Sequence, residues 1–328
     1  MCPVSNNHVS LSESNTDRTH ASSFGTVDFG LYAATIFAWS TSWLALKWQV
    51  GVVDPQVSLV WRFLLAACLM LGLCAIRGLP LRFAWRMHLR LAAMGVLLFS
   101  TNFLLFYYAA YGLVSGLLSV IFSTASVINI IMNTVILRRP LRPRVVLGAF
   151  LGIGGIACLF WPEIGRQAGS AASGGALVGL GLGVAGTLCF CTGNMISASI
   201  QKSGIPVFSA NAIGMAYGAL NCLVISLAAG SSFIIEPTLR YVGSLFWLAC
   251  ISTVLAFYAY LTLLGRIGAD KAGYATVIFP VFALIISSVM EGYQWTALSL
   301  AGMALVAVGN IIVLSRPKPR VKPRQPMI

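Results

Sequence analysis

Trp39-Ser40-Thr41-Ser42-Trp43 sits inside an apolar run, four residues short of Lys47. At helical spacing its two indoles share one face, and their N–H groups and the intervening hydroxyls need partners that hydrocarbon cannot give. The same theme recurs in other apolar runs: Asn102; Ser123, Thr124 and Asn129; Asn194; Tyr258 and Tyr260. Singly, each would serve as interhelical glue worth about 0.6 kcal/mol. Spread over non-adjacent runs, they predict the lining of a wet cavity. Its chemistry would be reversible capture of a polar solute, with hydroxyls and amides as hydrogen-bond partners and aromatic faces for an ammonium group. Tyr107 and Tyr108 are expected in the interfacial aromatic belt instead.

Bond-making chemistry lacks its parts. His8, His20 and His88 fall in the amino-terminal segment or a loop, and no apolar run carries two His, a His–Glu pair or a carboxylate pair. Metal-assisted hydrolysis and general acid–base work are therefore not expected, nor is a cofactor. Gly181-x-Gly183-x-x-Gly186 matches a dinucleotide fingerprint in form only, since no strand precedes it. Glycines four apart (Gly175, Gly179, Gly183; Gly148, Gly152; Gly214, Gly218) predict close helix contact in a membrane. Seven cysteines lie in apolar runs without metal spacing and read as packing residues.

Two cations are embedded. Lys47 is near enough to a helix end to reach back to the interface. Arg62 lies seven residues past Pro55, about 10 Å along a helix. It serves either in a salt bridge, with Asp54 as a candidate partner, or facing solute. Glu291, Asp54 and Asp28 sit at helix ends, so no central carboxylate is there to relay protons.

Those residues must be positioned by membrane helices. Of 328 residues only 9% are charged and 58% are apolar, against about 25% charged in soluble domains. A basic nucleic-acid binder would show its charges on a periodic polar face, and none exists here. Ten spans of the required length are predicted: 29–48, 56–76, 90–110, 113–137, 145–161, 175–200, 207–229, 240–263, 269–290 and 296–315.

With an internal amino terminus, the inner segments collect Arg18, Arg77, Arg82, Arg86, Arg90, Arg138, Arg139, Arg142, Arg144, Lys202, Arg266, Lys271, Arg316, Lys318, Arg320, Lys322 and Arg324. The outer segments hold Arg166 and Arg240 alone. The positive-inside rule then puts both termini in the cytoplasm.

The halves match at an offset near 150. Pro55 falls on Pro206, Thr35-Ile36 on Thr187-Leu188, and Gly148 and Gly155 on Gly302 and Gly309. Five spans per copy is an odd number, so the second copy must run inverted, an architecture recurrent among secondary transporters. The expected domains are a polar tail (1–28), repeat 1 (29–161), repeat 2 (175–315) and a basic tail (316–328).

Trp39-Ser40-Thr41 with Lys47, Arg62 after Pro55, and the stretch Phe257 to Glu291 with Ala259, Tyr274, Pro280-Val281-Phe282 and Glu291 carry a resemblance. The chain resembles the EamA type of the drug/metabolite transporter superfamily, and within it the aromatic and broad-specificity amino acid exporters of bacterial inner membranes. The resemblance implies a basket of helices around a central cavity lined by spans one, three, four, six, eight and nine, with five and ten peripheral. The lining would include Trp39, Asn102, Ser123, Ala125, Cys189 and Thr276. Where aromatic exporters would place large aromatic side chains, around 123–125 and near 189, this chain has Ser123, Thr124, Ala125 and Cys189. Polar or varied amino acids become as fitting as aromatic ones.

The sequence therefore predicts an all-α membrane protein of ten helices in two inverted five-helix repeats. It would act as a monomer in the lipid bilayer, exporting amino acids without a nucleic-acid partner and without strict ion coupling. Substrate contact is expected at Trp39, Ser40, Trp43, Asn102, Ser123, Thr124, Cys189, Asn194, Tyr258 and Thr276. A carrier for another small metabolite or drug (a polyamine, nucleotide precursor or dye) is the alternative; a polytopic enzyme or sensor is the third reading.

Overall fold

The computed structural model describes residues 25–136, 140, 142–167, 175–267, 272 and 274–314. Most of the amino-terminal tail, the carboxy-terminal tail and, between them, Arg138, Arg139 and Lys271 lie outside the described residues.

Every regular element among the described residues is helical. In chain order, α1 is Thr26–Lys47 and α2 Pro55–Ile76. α3 joins Trp85–Val96, a π-helical stretch Leu97–Thr101 and Asn102–Ala109. α4 is Ser115–Ser123 continued by Ala125–Ile136, α5 Pro143–Gln167, α6 Gly175–Lys202 and α7 Val207–Ala228. α8 joins Leu239–Phe246, a π-helical stretch Trp247–Leu255 and Ala256–Ile267; α9 is Ala275–Met290 and α10 Ala297–Leu314. Nine of these segments are long and apolar enough to cross a membrane, and α9 is a shorter apolar helix. The chain is a multi-pass membrane protein. α3 starts at Trp85 rather than near residue 90, and the break before α4 runs from Ala110 to Val114, wider than the Tyr111-Gly112 pair expected.

Local chemistry repeats between the halves. α2 and α7 are both 22 residues long and start 152 residues apart, at 55 and 207. Both stop in the same turn. At Gly78 (φ 64°) the Leu79 N–H returns to the Cys74 carbonyl, and at Gly230 (φ 67°) the Ser231 N–H returns to the Ser226 carbonyl. Only a residue tolerant of left-handed φ closes a helix this way. The π-helical stretches of α3 and α8 begin 150 residues apart, at 97 and 247.

Packing repeats too. α2 lies on α7, α4 on α9 and α5 on α10; α3 packs on α6 and α7, while α8 packs on α1 and α2. Exchanging each helix for its counterpart five places on turns this set into itself, as a two-fold relation requires. α5 and α10 run antiparallel through reciprocal glycines. A Cβ on Gly155 would lie 2.5 Å from the Gly302 carbonyl oxygen, and one on Gly302 would lie 2.6 Å from that of Gly155. Small residues let backbones approach where no hydrophobic effect drives helices together. α1 also packs on α4.

The glycine row of α6 is a packing face. Gly179, Gly183 and Gly186 back onto Leu113, Ile121 and Phe106, whereas Gly181 and, in α5, Gly152 have open space beside them.

Candidate functional site

α1, α3, α4, α6, α8 and α9 meet at a continuous cluster of aromatic rings. Phe122 is its hub, with centroids 5.4 Å from Trp43, 5.8 Å from Phe106, 4.6 Å from Phe190 and 6.4 Å from Phe279. Trp43 stands 5.1 Å from Phe106. Trp39 links the other side, 6.2 Å from Phe279 and 5.0 Å from Tyr260. These are the edge and tilted geometries that aromatic quadrupoles favour. Each of the six helices contributes at least one ring. Trp43, Phe106 and Phe279 are buried, while Trp39, Phe122, Phe190 and Tyr260 keep part of their surface open. Partly open rings thus sit where six helices converge.

The helices are held there by side-chain hydrogen bonds, most of them to backbone. Ser40 Oγ donates to the Phe279 carbonyl at 3.0 Å, pinning α1 to α9. Trp247 Nε1 donates to Thr41 Oγ1 at 3.0 Å and Ser252 Oγ to the Ala38 carbonyl at 3.2 Å, pinning α8 to α1. Cys191 Sγ reaches the Ala125 carbonyl at 3.5 Å, joining α6 to α4.

Both ends of the bundle are laced. Where α1 begins, Asp28 pairs with Arg266 of α8. Where it ends, Lys47 Nζ donates to the carbonyls of Ala110 and Leu113 beyond α3, and the Glu291 carboxylate accepts from the Ser115 N–H and hydroxyl at the start of α4. A carboxylate at a helix amino terminus meets unpaired N–H groups and the positive end of the dipole. Lys47 extends to backbone at the bundle's end.

Of the expected contact residues, Trp39, Ser40 and Trp43 come together at the ring cluster. Ser123 is buried, with its hydroxyl on the Val120 carbonyl, and Thr124 turns its own onto Ile121, where α4 changes from one helical segment to the next. Asn102 is buried in α3; its Nδ2 donates to the Leu98 carbonyl and its Oδ1 has no partner among the described residues. Cys189 and Asn194 are half-buried on α6, and Thr276 half-buried in the first turn of α9. Tyr258 is not gathered in. It is exposed, 5.5 Å from the Arg77 guanidinium.

Sequence reasoning missed Phe122, Phe190, Phe106 and Phe279, whereas Tyr260, expected in the cavity lining, does join the cluster. The aromatic side chains that seemed to be missing around 123–125 and near 189 are Phe122 and Phe190, each one residue away from the position inspected. One other expectation is corrected, and one of the two alternatives for Arg62 falls. Tyr107 is no belt residue: it is fully buried and donates to Gln49 Oε1 at 2.6 Å. Arg62 forms no salt bridge among the described residues, and Asp54 is exposed ahead of α2.

The EamA-like transporter family model matches this chain twice, at residues 29–161 and 177–315. The chain belongs to that family and is a membrane transporter. It is 28% identical to the uncharacterized transporter YetK of Bacillus subtilis, over 83% of this chain and 82% of that one. An uncharacterized transporter of Archaeoglobus fulgidus is 21% identical over 87% of this chain and 97% of its own. A solved crystal structure superposes with a TM-score of 0.61 at 16% identity, covering 87% of this chain and 95% of the other, a likeness of fold.

Proposed function

We propose that this transporter exports amino acids of varied side chain across a bacterial inner membrane, by alternating access and without strict ion coupling. The observation that carries the reading is the convergence of six helices on one partly open aromatic cluster, midway along α1, α4 and α6. Aromatic faces attract a substrate ammonium, and rings of this size accept apolar side chains without selecting one of them.

Several further features support it. The two matches to the family model and the two-fold pattern of helix contacts fit inverted repeats, at residues 29–161 and 175–315. Seventeen basic residues on one side against Arg166 and Arg240 on the other favour cytoplasmic termini. With that orientation the α1–α4 contact lies in the outer half. Two near-equivalent halves are what alternating access exchanges. The described carboxylates Asp28, Asp54, Glu163, Glu236 and Glu291 all lie at helix ends or in loops, which favours transport without a proton relay. One chain completes the cluster, so a monomer suffices. Export as the direction rests on the sequence resemblance.

The test is flux in proteoliposomes with a panel of labelled amino acids, polyamines, nucleotides and dyes, with and without a pH gradient. Expected is exchange of several amino acids down their gradients. Flux of only non-amino-acid solutes, or accumulation driven by the pH gradient, contradicts the proposal.

A further inference from the structure

Arg62 is 3% exposed, one third of the way along a membrane-spanning helix, and no carboxylate answers it among the described residues. Its guanidinium carbon lies 4.4 Å from the Phe103 ring centroid and 5.2 Å from that of Phe63. The Tyr107 side chain lies beside it. Its hydroxyl donates to Gln49 Oε1 at 2.6 Å. Arg62 Nε, Arg62 Nη1 and Gln49 Nε2 are all buried and all without an acceptor among the described residues. Three unpaired N–H-bearing atoms around one tyrosine, with no anion among them, form a set of donors only.

Such a set is costly in hydrocarbon, and the scaffold does not need it. The position 152 residues on in α7 is Gly214, where the space beside the backbone is filled by Met94 and Phe99. The same helix in the other half is thus built without a cation. Consecutive residues of α3 touch both places, Phe106 in the aromatic cluster and Tyr107 in the donor set.

We infer that Arg62 and Gln49, steadied by Tyr107, form a binding site for the carboxylate of the transported solute. A guanidinium and an amide N–H present the charge-assisted donors a carboxylate accepts, while Phe63 and Phe103 hold the planar cation in place when the site is empty. This inference rests on the amino-acid reading above and adds the group that is recognised.

The test compares labelled L-phenylalanine and L-leucine with their carboxamides, which keep the ammonium and side chain but lose the carboxylate. Flux into proteoliposomes is measured for the wild type, Arg62→Lys, Arg62→Met and Gln49→Leu, with yield and melting temperature recorded for each. In the wild type the acids should have a KM about tenfold or more below the amides. Arg62→Met should erase that preference by raising the KM of the acids alone, Gln49→Leu should weaken it, and Arg62→Lys should keep part of it. If Arg62→Met does not fold, Arg62→Lys and Gln49→Leu decide by the same ratio. A wild type indifferent to the carboxylate, or folded variants that keep the full preference, overturns the site and leaves amino acid transport standing. No flux of any amino acid in the wild type overturns the functional reading, and the site with it.

Discussion

α3 and α7 meet glycine to glycine, Gly95 against Gly214; a Cβ on Gly95 would lie 2.3 Å from the Gly214 carbonyl oxygen. By the helix register, α8 and α2 occupy the matching places in the other half and carry Leu245 and Arg62 there. One contact is spent on close backbone approach, which holds the bundle together. Its counterpart leaves room for a side chain with a buried charge, which weakens the bundle and is kept for another reason. The same contrast separates α5 and α10 from the rest. Their reciprocal glycines and lipid-facing Phe150, Ile153 and Trp161 make a peripheral brace, whereas the six convergent helices supply the rings. A duplicated frame carries the load evenly; its chemistry is concentrated where the copies differ.

The strongest way to break that comparison is Gly95→Leu. The obstructing atom is backbone and cannot swing aside, so the variant should fail to yield folded protein in detergent, while Gly181→Leu, with open space beside it, should express and melt like the parent. Overpacking a closed site costs about 1–3 kcal/mol, and more where backbone blocks relief. Equal yields of the two would remove the glycine contact from the scaffold.

Phe122→Ala deletes the hub of the ring cluster. A Phe-to-Ala change in a core costs about 3–5 kcal/mol, and the partial opening of this ring puts the expected loss at the lower end. Flux should fall by about tenfold or more in protein that still folds. Trp39→Ala, at the margin of the cluster, should cut flux by a smaller factor with expression intact; unchanged flux in both variants would strip the cluster of its role. The smallest effect is expected from Ser40→Ala, which frees the Phe279 carbonyl. The melting temperature should drop by the equivalent of about 1 kcal/mol, with KM nearly unchanged. A large change in KM there would make Ser40 a substrate contact and sharpen the boundary between brace and site.

The frame was legible from the residues because hydropathy and length report each helix separately. Gly175 and Val207 begin α6 and α7 at the expected positions, and the glycine spacing identified the α6 packing face. The π-helical stretches of α3 and α8 leave no such mark, since Leu97–Thr101 and Trp247–Leu255 read as ordinary apolar sequence. The site was harder for a related reason. In a protein surrounded by lipid, apolar side chains face outward as well as inward, so nothing in the composition separates Phe122 at the hub from Phe150 in the lipid. Polarity drew notice to Ser123, Thr124 and Tyr258, two of which satisfy their own helix and one of which lies outside the cluster. Gln49 was the signal overlooked. An amide two residues past Lys47 could have been matched to the buried Arg62 through Tyr107.

The most direct test of a chamber at the six-helix junction is thiol accessibility at position 122. Phe122→Cys, in a background with the native cysteines replaced by serine or alanine, is exposed to a membrane-impermeant maleimide from either face of the membrane. Labelling from both faces, slowed by transported solute, is the expected result. A thiol that reacts from neither face, with or without solute, would show the junction to be solid core and contradict the transport site placed there.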